Sequence, residues 1–449
     1  MSDLQTNEVT AVILAGGKGT RLGVLTNERT KPSVSFGGKY RVIDWVLTNL
    51  ACTGAITDSF IMAQYEPNSL QRHIGAGRDW GFDDYDRRLH VLWPKQTQVK
   101  EGIDVWPGTV DPIREYWDRV LSRGHRAVLI LAGDHVYRED YDHAVATFNA
   151  RRSDAVVYCC PVAREDVPHL GTVQIDDQHR IVGFHEKPQD SEVIERLRLT
   201  APQCQSLGLE SRGEVWLASM GIYLWSAGAI QEFIDNESMV DFGRDVIPNA
   251  IEGHRIHAHI FRGFWADVGT AEGYYRTHMR ALRDPRISQE VFHEDLATAR
   301  LRQNPGPRIY GTVRNCVVSS GCLIGGTAAV TDSFLGYQVE LASGEPGDET
   351  RVTGCILNGA SRPEMLAGGK AVHPTLQVGR CVRLDTVVLD KDVTIGDGVQ
   401  ISPERGHGRA ARAERLRGIG LREGEDFDVY DDGLLVLAKG VEIPTEFTV

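Results

Sequence analysis

Apolar positions in this chain gather into short unbroken runs that alternate with helical spacings, and the runs end in glycine or charged residues. Val12-Ile13-Leu14, Ala127-Val128-Leu129-Ile130-Leu131-Ala132 and Ala155–Val162 carry no charged residue, the pattern of strands covered on both faces of a parallel sheet. Arg41–Leu50 has apolar residues at helical spacing, and Asp58–Tyr65 reads as a further strand. Strands alternating with helices predict an α/β domain with a mostly parallel, doubly wound, Rossmann-like sheet. In such sheets ligands bind beyond the strand C-termini. Residues 164–270 read as a mixed segment closing that site: Gly171–Asp176 and Arg180–Pro188 form a hairpin pattern, Leu217–Trp225 a strand, Asp241–Asp245 a polar loop, and Phe264–Thr270 a strand end entering a helix.

Beyond residue 271 the pattern is helical and then irregular, and Pro285, Pro305 and Pro307 mark a connector. The texture then changes. Cys316-Val317-Val318, Gly321–Gly325, Gly354–Leu357, Val378-Gly379 and Val393–Gly396 repeat small apolar residues and glycines at short intervals. That rhythm resembles a parallel β-helix, interrupted near 341–350 and 361–372. The predicted organisation is a first domain over 1–282, a linker over 283–306 and a β-helix over 307–449.

Composition narrows the class. A chain of 449 residues exceeds one ordinary core, and 41% hydrophobic with 25% charged residues describes a soluble globular protein without a membrane-spanning run. The polar start over 1–10 does not suit a signal peptide, so the expected location is the cytoplasm. The eight cysteines show no C-x-x-C pair or zinc spacing and read as structural thiols. A formal charge of −13 disfavours nucleic acid as a partner. Small anions remain possible where cations converge, but the basic stretch Arg409–Arg417 reads as a solvated face.

The candidate chemistry begins at Leu14-Ala15-Gly16-Gly17-Lys18-Gly19-Thr20-Arg21. Its glycines let backbone N–H groups face an anion, making a phosphate cradle the functional reading and an ordinary glycine-rich turn the bland one. No Gly-Lys-Ser/Thr triplet follows, which excludes a Walker A loop, and Leu22 occupies the last glycine position of a dinucleotide fingerprint. Lys31-Pro32 adds a further cation. Asp134 and Asp267, at two other strand ends, are hard oxygen ligands suited to Mg²⁺ beside phosphate; the alternative for each is a helix N-cap.

Taken in order, Gly16–Leu22, Lys31-Pro32, Phe36–Asp44, Ala132–Tyr137, Glu186-Lys187-Pro188, Ser219–Tyr223, Asp241–Asp245 and Trp265–Thr270 resemble the bacterial glucose-1-phosphate adenylyltransferases. The motifs cover the N-terminal two-thirds, and the β-helix texture extends the resemblance over nearly the whole chain. The resemblance implies a nucleotidyltransferase domain followed by a left-handed β-helix, with ATP and glucose 1-phosphate as substrates, Mg²⁺ as cofactor, and a homotetramer. It makes Arg21, Lys31 and Asp134 catalytic, and Asp134 with Asp267 the metal ligands. The nucleotide falls to Leu14, Ala15, Gly16, Gly17, Gly19, Thr20, Gln96, Gly108 and Thr109. The sugar phosphate falls to Gly171, Glu186, Lys187, Ser219, Asp241, Phe242 and Trp265, with Lys187 on the phosphate and Glu186 on the hydroxyls. The alternative for Lys187 is an exposed strand-end lysine in a surface ion pair.

Two departures stand out. Val105–Asp111 differs from the family's Trp-Tyr-x-Gly-Thr-Ala-Asp, which bears on base selection. Glu28 stands where sugar-phosphate-activated members often carry lysine, so effector control by small anions is expected to be different or weak, drawing on Arg29 and nearby cations. Rival readings are a pyrophosphorylase for another nucleotide or sugar, a regulatory subunit, and a β-helix acyltransferase.

Overall fold

Residues covered on every side take the centre of the sheet. In the computed structural model, which describes residues 2–449 except 66, 85, 96–105, 210–213, 299–304, 362–363, 366–370, 373 and 404–407, β1 (Val9–Leu14) is buried along nearly its whole length. It is followed by α1 (Ile43–Thr53), β2 (Asp58–Met62), β3 (Arg88–Leu92), β4 (Ala127–Ala132) and β5 (His135–Tyr137). Next come β6 (Ala155–Val162), β7 (Gly171–Ile175), β8 (Ile181–Glu186), β9 (Trp216–Ser226), α2 (Ala227–Asp235), β10 (Ile256–Ile260), β11 (Trp265–Asp267) and α3 (Ala271–Arg283).

The main sheet has nine strands, with the path β8-β7-β9-β4-β1-β2-β3 and with β6 joining β9 to β10. β1 runs parallel to β2 and β4, and β2 parallel to β3, so Leu14, Met62 and Ala132 end side by side. This parallel group carries the glycine loop and Asp134 on one rim. β7 and β8 form the expected antiparallel hairpin. The eleven-residue β9 runs antiparallel to β4, β6 and β7, which makes the sheet mixed on that side. Its register shifts between Ser219 and Tyr223, where Gly221 adopts φ +66°, a bulge in the strand that borders the rim.

One expectation is corrected and one alternative is removed. Asp241–Asp245 is not an irregular loop: Phe242–Val246 forms a π-helical turn, capped by Asp241 Oδ1, which accepts from the Gly243 and Arg244 N–H groups. Asp134 and Asp267 do not act as helix N-caps. Asp134 leads into β5, and the α3 cap is Thr270, whose hydroxyl accepts from Gly273 N–H. β5 and β11 pair antiparallel with Asp267 opposite His135, so two segments 133 positions apart deliver their acids to one place.

The C-terminal part stacks short strands into three long sheets of six, five and six strands. All steps are parallel except the last, between Phe427–Val429 and Leu435–Leu437. Each coil buries aliphatic residues such as Ile324, Val330, Leu335 and Val352, because inward-facing positions of its short strands are packed against the coils above and below. The interruption at 361–372 contains a small antiparallel pair, Glu364–Met365 with Ala371–Val372. Arg409–Gly418 is helical, and Arg412 within it is buried rather than solvated.

The two parts share a core. Phe36, Trp45 and Tyr274 pack in one cluster with Phe334 and Leu335 of the β-helix, and the Tyr274 hydroxyl donates to Ser35 O at 2.7 Å and lies 3.1 Å from the Asn358 side-chain amide. The expected linker contributes a further helical segment, Pro285–Val291, whose Val291 carbonyl accepts from the Trp45 indole at 2.8 Å.

Candidate active site

The first loop meets its partners where the parallel strands end. Ala15 N–H donates to Met62 O at 2.9 Å and Gly133 N–H to Leu14 O at 3.0 Å, so the chain peels away from the sheet at one level. Gly19 adopts φ +74°, and a Cβ there would lie 2.9 Å from Lys31 Cβ; only glycine holds this turn without strain or displacement of the lysine. Two short 3₁₀ turns kinked at Gly23, over Thr20–Thr26, follow and bring the chain back to Lys31.

Lys31 is the hub. Its side chain is buried, and Nζ donates to Asp134 Oδ2 at 2.8 Å and to Asp267 Oδ1 at 2.5 Å. Burial opposes charge on Lys31, but the two carboxylates outweigh it and hold the ammonium above its ordinary range. Burial likewise works against the Asp134 anion; Lys31 and then His135 overcome it and bring the carboxyl down to about 2. The pair is therefore ionised at neutral pH. Asp134, His135 and Asp267 offer ligand atoms within 4.8 Å of one another. Two hard carboxylates at that spacing fit a divalent cation of the Mg²⁺ type, with Lys31 as the counter-charge between them.

These residues edge a cavity of about 520 Å³. Leu14, Gly16, Gly17, Gly108 and Thr109 line it from the expected nucleotide side. Gly171, Glu186, Lys187, Ser219, Asp241, Phe242 and Trp265 line the expected sugar side, and Asp134 and Asp267 lie between. Every sugar-side position expected from the sequence is thus gathered into one cavity. Ala15, Gly19, Thr20, Arg21 and Lys31, also expected at the site, are not part of this lining: Ala15 and Lys31 are buried, Thr20 and Arg21 are exposed, and the Arg21 guanidinium lies close to Gly269 beside Asp267. Gln96 lies outside the described residues.

The sugar side is tightly fitted. A Cβ on Gly171 or on Gly243 would come within 2.8 Å of Glu186 Oε2, so both glycines make room for that carboxylate. Lys187 is half exposed, its Nζ is 3.3 Å from Glu186 Oε1, and its backbone holds φ +49° immediately before Pro188. A lysine in the left-handed region costs roughly 1–3 kcal/mol, a strain typical of ligand-holding positions. The Phe242 ring stacks on Tyr223 with centroids 5.5 Å apart. The His135 and Trp265 rings meet edge to face, and His135 Nδ1 and Trp265 Nε1 are buried without a partner among the described residues. Buried polar atoms left open beside a cavity are groups a bound ligand can satisfy.

Sequence reasoning passed over Gln64, Gly221 and Tyr223, all of which line the cavity. Gln64 accepts from Trp106 N–H at 3.0 Å, and the signal for it was available: like Asp134, it is a polar residue two positions beyond a strand end. Trp106 is largely buried, with its indole donating to Glu115 at 2.6 Å.

A charged rim of Lys31, Asp134 and Asp267 at the edge of a cavity lined in part by glycine-loop residues suits phosphoryl-group chemistry, and the family model described as Nucleotidyl transferase matches residues 10–284. Members of that family generally use a divalent metal. The model described as GLGC left-handed parallel beta-helix domain matches residues 302–447.

Relatives bearing the name glucose-1-phosphate adenylyltransferase agree with both matches. One from Rhodospirillum rubrum is 34% identical, covering 81% of this chain and 90% of its own length. One from Paraburkholderia phymatum is 30% identical over 99% of this chain and 98% of its own, and one from Thermosipho africanus is 34% identical over 75% and 77%. The chain belongs to the glucose-1-phosphate adenylyltransferase family, and it is a nucleotidyltransferase.

Proposed function

We propose that this chain makes ADP-glucose and pyrophosphate from ATP and α-D-glucose 1-phosphate in the cytoplasm, for glycogen or another α-glucan, with Mg²⁺ held by Asp134 and Asp267. The observation that carries this reading is Lys31 Nζ bridging both aspartates at the edge of a cavity whose opposite wall presents Glu186 and Lys187. A phosphate oxygen of the sugar attacks the α-phosphorus of the triphosphate, and the bond from that phosphorus to the bridging oxygen breaks as pyrophosphate leaves. No covalent enzyme intermediate is needed, so the protein's work is orientation and charge neutralisation.

In this reading the glycine-loop amides and Arg21 hold the triphosphate, and Lys31 offsets charge building at the transferred phosphoryl group. Lys187 grips the sugar's phosphate, while Glu186 and Ser219 accept or donate to hydroxyls. A bound divalent cation supplies electrostatic stabilisation of the phosphate oxygens. The domain at 1–282 is catalytic, and the β-helix at 307–449 serves assembly, as a homotetramer. Retention of all the charged rim residues favours a catalytic over a regulatory chain.

Small anionic effectors are the second part of the proposal. A cleft of about 160 Å³ between the two parts is lined by Arg29, Lys39, Arg41, Arg72, Lys391 and Lys439 together with Glu28. Within it Glu28 pairs with Lys439 at 2.9 Å and Arg29 with Asp390 at 2.8 Å. Two of its cations are thereby neutralised internally, which supports weaker control than in relatives with lysine at position 28. The test is pyrophosphate release from a panel of triphosphates and sugar 1-phosphates, with and without sugar bisphosphates. ATP with glucose 1-phosphate should exceed every other pair, and bisphosphates should activate only weakly. Preference for another pair by tenfold would replace the substrate reading, and strong activation by fructose 1,6-bisphosphate would overturn the effector reading.

A further inference from the structure

Thr109 was expected to face the nucleotide, yet its hydroxyl bonds to the sugar wall and gives its one proton there. Thr109 Oγ1 accepts from Phe242 N–H at 2.9 Å and donates to Asp241 Oδ2 at 3.2 Å. A hydroxyl has one proton to give, and here it goes to the carboxylate. The same carboxylate, through Oδ1, caps the π-turn that carries Phe242 and Gly243, and Gly243 in turn lies against Glu186 Oε2. A chain of direct contacts therefore runs from Thr109 to two groups of the sugar side.

The neighbours of Thr109 make the same joint rigid. Val110 N–H donates to Val240 O at 3.0 Å, and a Cβ on Gly108 would lie 2.1 Å from that same oxygen. Arg114 donates to the carbonyls of Ile234, Asn236 and Met239 at 2.6–2.8 Å. On its other side the segment is tied to the nucleotide rim, because Trp106 N–H donates to Gln64. The segment from Trp106 to Arg114 thus belongs to both walls of the cavity.

We infer that Thr109 is a positioning residue that couples the two substrate sites: when nucleotide settles against the 106–110 segment, that segment carries Asp241 and Phe242 into place for the sugar phosphate. Coupling of this kind is reciprocal, so each substrate tightens the other by the same factor. The inference rests on the substrate reading above, but it needs only that a nucleotide and a sugar phosphate occupy the two walls.

The experiment measures glucose 1-phosphate affinity by calorimetry with and without a non-hydrolysable ATP analogue, in wild type, Thr109→Val and Thr109→Ser. Wild type should show tightening of about fivefold or more, within the span usual for coupled sites. Thr109→Val keeps the side-chain shape but removes both bonds, and should bring the factor to within twofold of unity while raising the KM for glucose 1-phosphate. Thr109→Ser should restore most of it. Unfolding midpoints of both variants identify any general loss of structure; a valine variant that is destabilised but still coupled overturns the inference. So does a wild type with no coupling, or a serine variant that folds but stays uncoupled. If neither ligand binds wild type, the substrate reading has failed instead, and the pair that the substrate panel selects replaces them in the same cycle.

Discussion

Replacing Asp390 by leucine should destabilise the junction between the two parts far more than a surface change would. Arg29 Nη1 lies 2.8 Å from Asp390 Oδ1, and the two side chains are only 7% and 1% exposed. Burial alone would lower the arginine's affinity for its proton, and Asp390 is the main group that reverses this. Without Asp390 the guanidinium stays buried near Arg41 and Lys391, whose ammonium is already pushed well below its ordinary range by burial and then by those two arginines. Removing one partner of a buried pair costs about 3–5 kcal/mol. At about 2–4 °C per kcal/mol for a cooperative unit of ordinary domain size, the thermal midpoint should fall by roughly 6–20 °C.

The assay is calorimetric and urea unfolding of wild type, Asp390→Leu, Arg29→Met and the double variant. Because removing both charges of a buried pair is often neutral or stabilising, the double variant should recover most of the loss. A single variant within about 1 kcal/mol of wild type, well under the buried-pair cost, or a double variant as unstable as Asp390→Leu, would show that this pair does not hold the junction. Arg29 lies two residues before Lys31, so the single variant should also lower kcat.

Three further outcomes follow from the same structure. His278 accepts from Gly37 N–H at 3.0 Å and its burial pulls the imidazole down to about 3; the folded form stays neutral where the unfolded form binds a proton, so stability falls on acidification from about pH 6.5 towards 3, at up to roughly 1.4 kcal/mol per pH unit. Urea midpoints between pH 5 and 7 should show a shallower slope for His278→Gln than for wild type, and equal slopes would exclude this group as the cause. Lys187→Ala should raise the KM for glucose 1-phosphate by tenfold or more with a smaller effect on kcat, about 1.4 kcal/mol or more of lost sugar-phosphate binding; an unchanged KM would remove Lys187 from that role. Gly19→Ala, at φ +74° and with its new methyl 2.9 Å from Lys31 Cβ, should cost about 1–3 kcal/mol of stability and depress turnover as well, as read by unfolding midpoints and steady-state rates.

Much of the parallel core was legible because nothing local contradicts it. Ala127–Ala132 and Ala155–Val162 are strands over the residues their apolar runs mark out, since a run covered on both faces has no competing period. Strand direction is another matter: the apolar pattern of Trp216–Ser226 is the same whether it runs parallel or antiparallel, and only its partners decide. The π-turn at Phe242–Val246 was hidden by its polarity. Its Asp241 and Asp245 side chains look solvated in sequence, but both are spent on backbone N–H groups. Asp134 and Asp267 each precede segments that could begin a helix, so spacing alone left capping open; what settled it was β5 pairing with β11, a contact between distant segments. Lys31 joining both acids, across 103 and 236 positions, is of the same kind. Thr109 shows the converse, a residue gathered at the expected cavity whose hydroxyl serves the other wall.

In the proposed mechanism the reaction takes place where Lys31, Asp134 and Asp267 meet. The most direct test of this placement is the kcat for pyrophosphate release from ATP and glucose 1-phosphate by Asp134→Asn, at saturating substrates and Mg²⁺, with the fold checked by circular dichroism and unfolding midpoint. Loss of an electrostatic group acting mainly in the transition state predicts a fall of about a hundredfold or more. A folded variant that turns over within threefold of wild type would contradict the account.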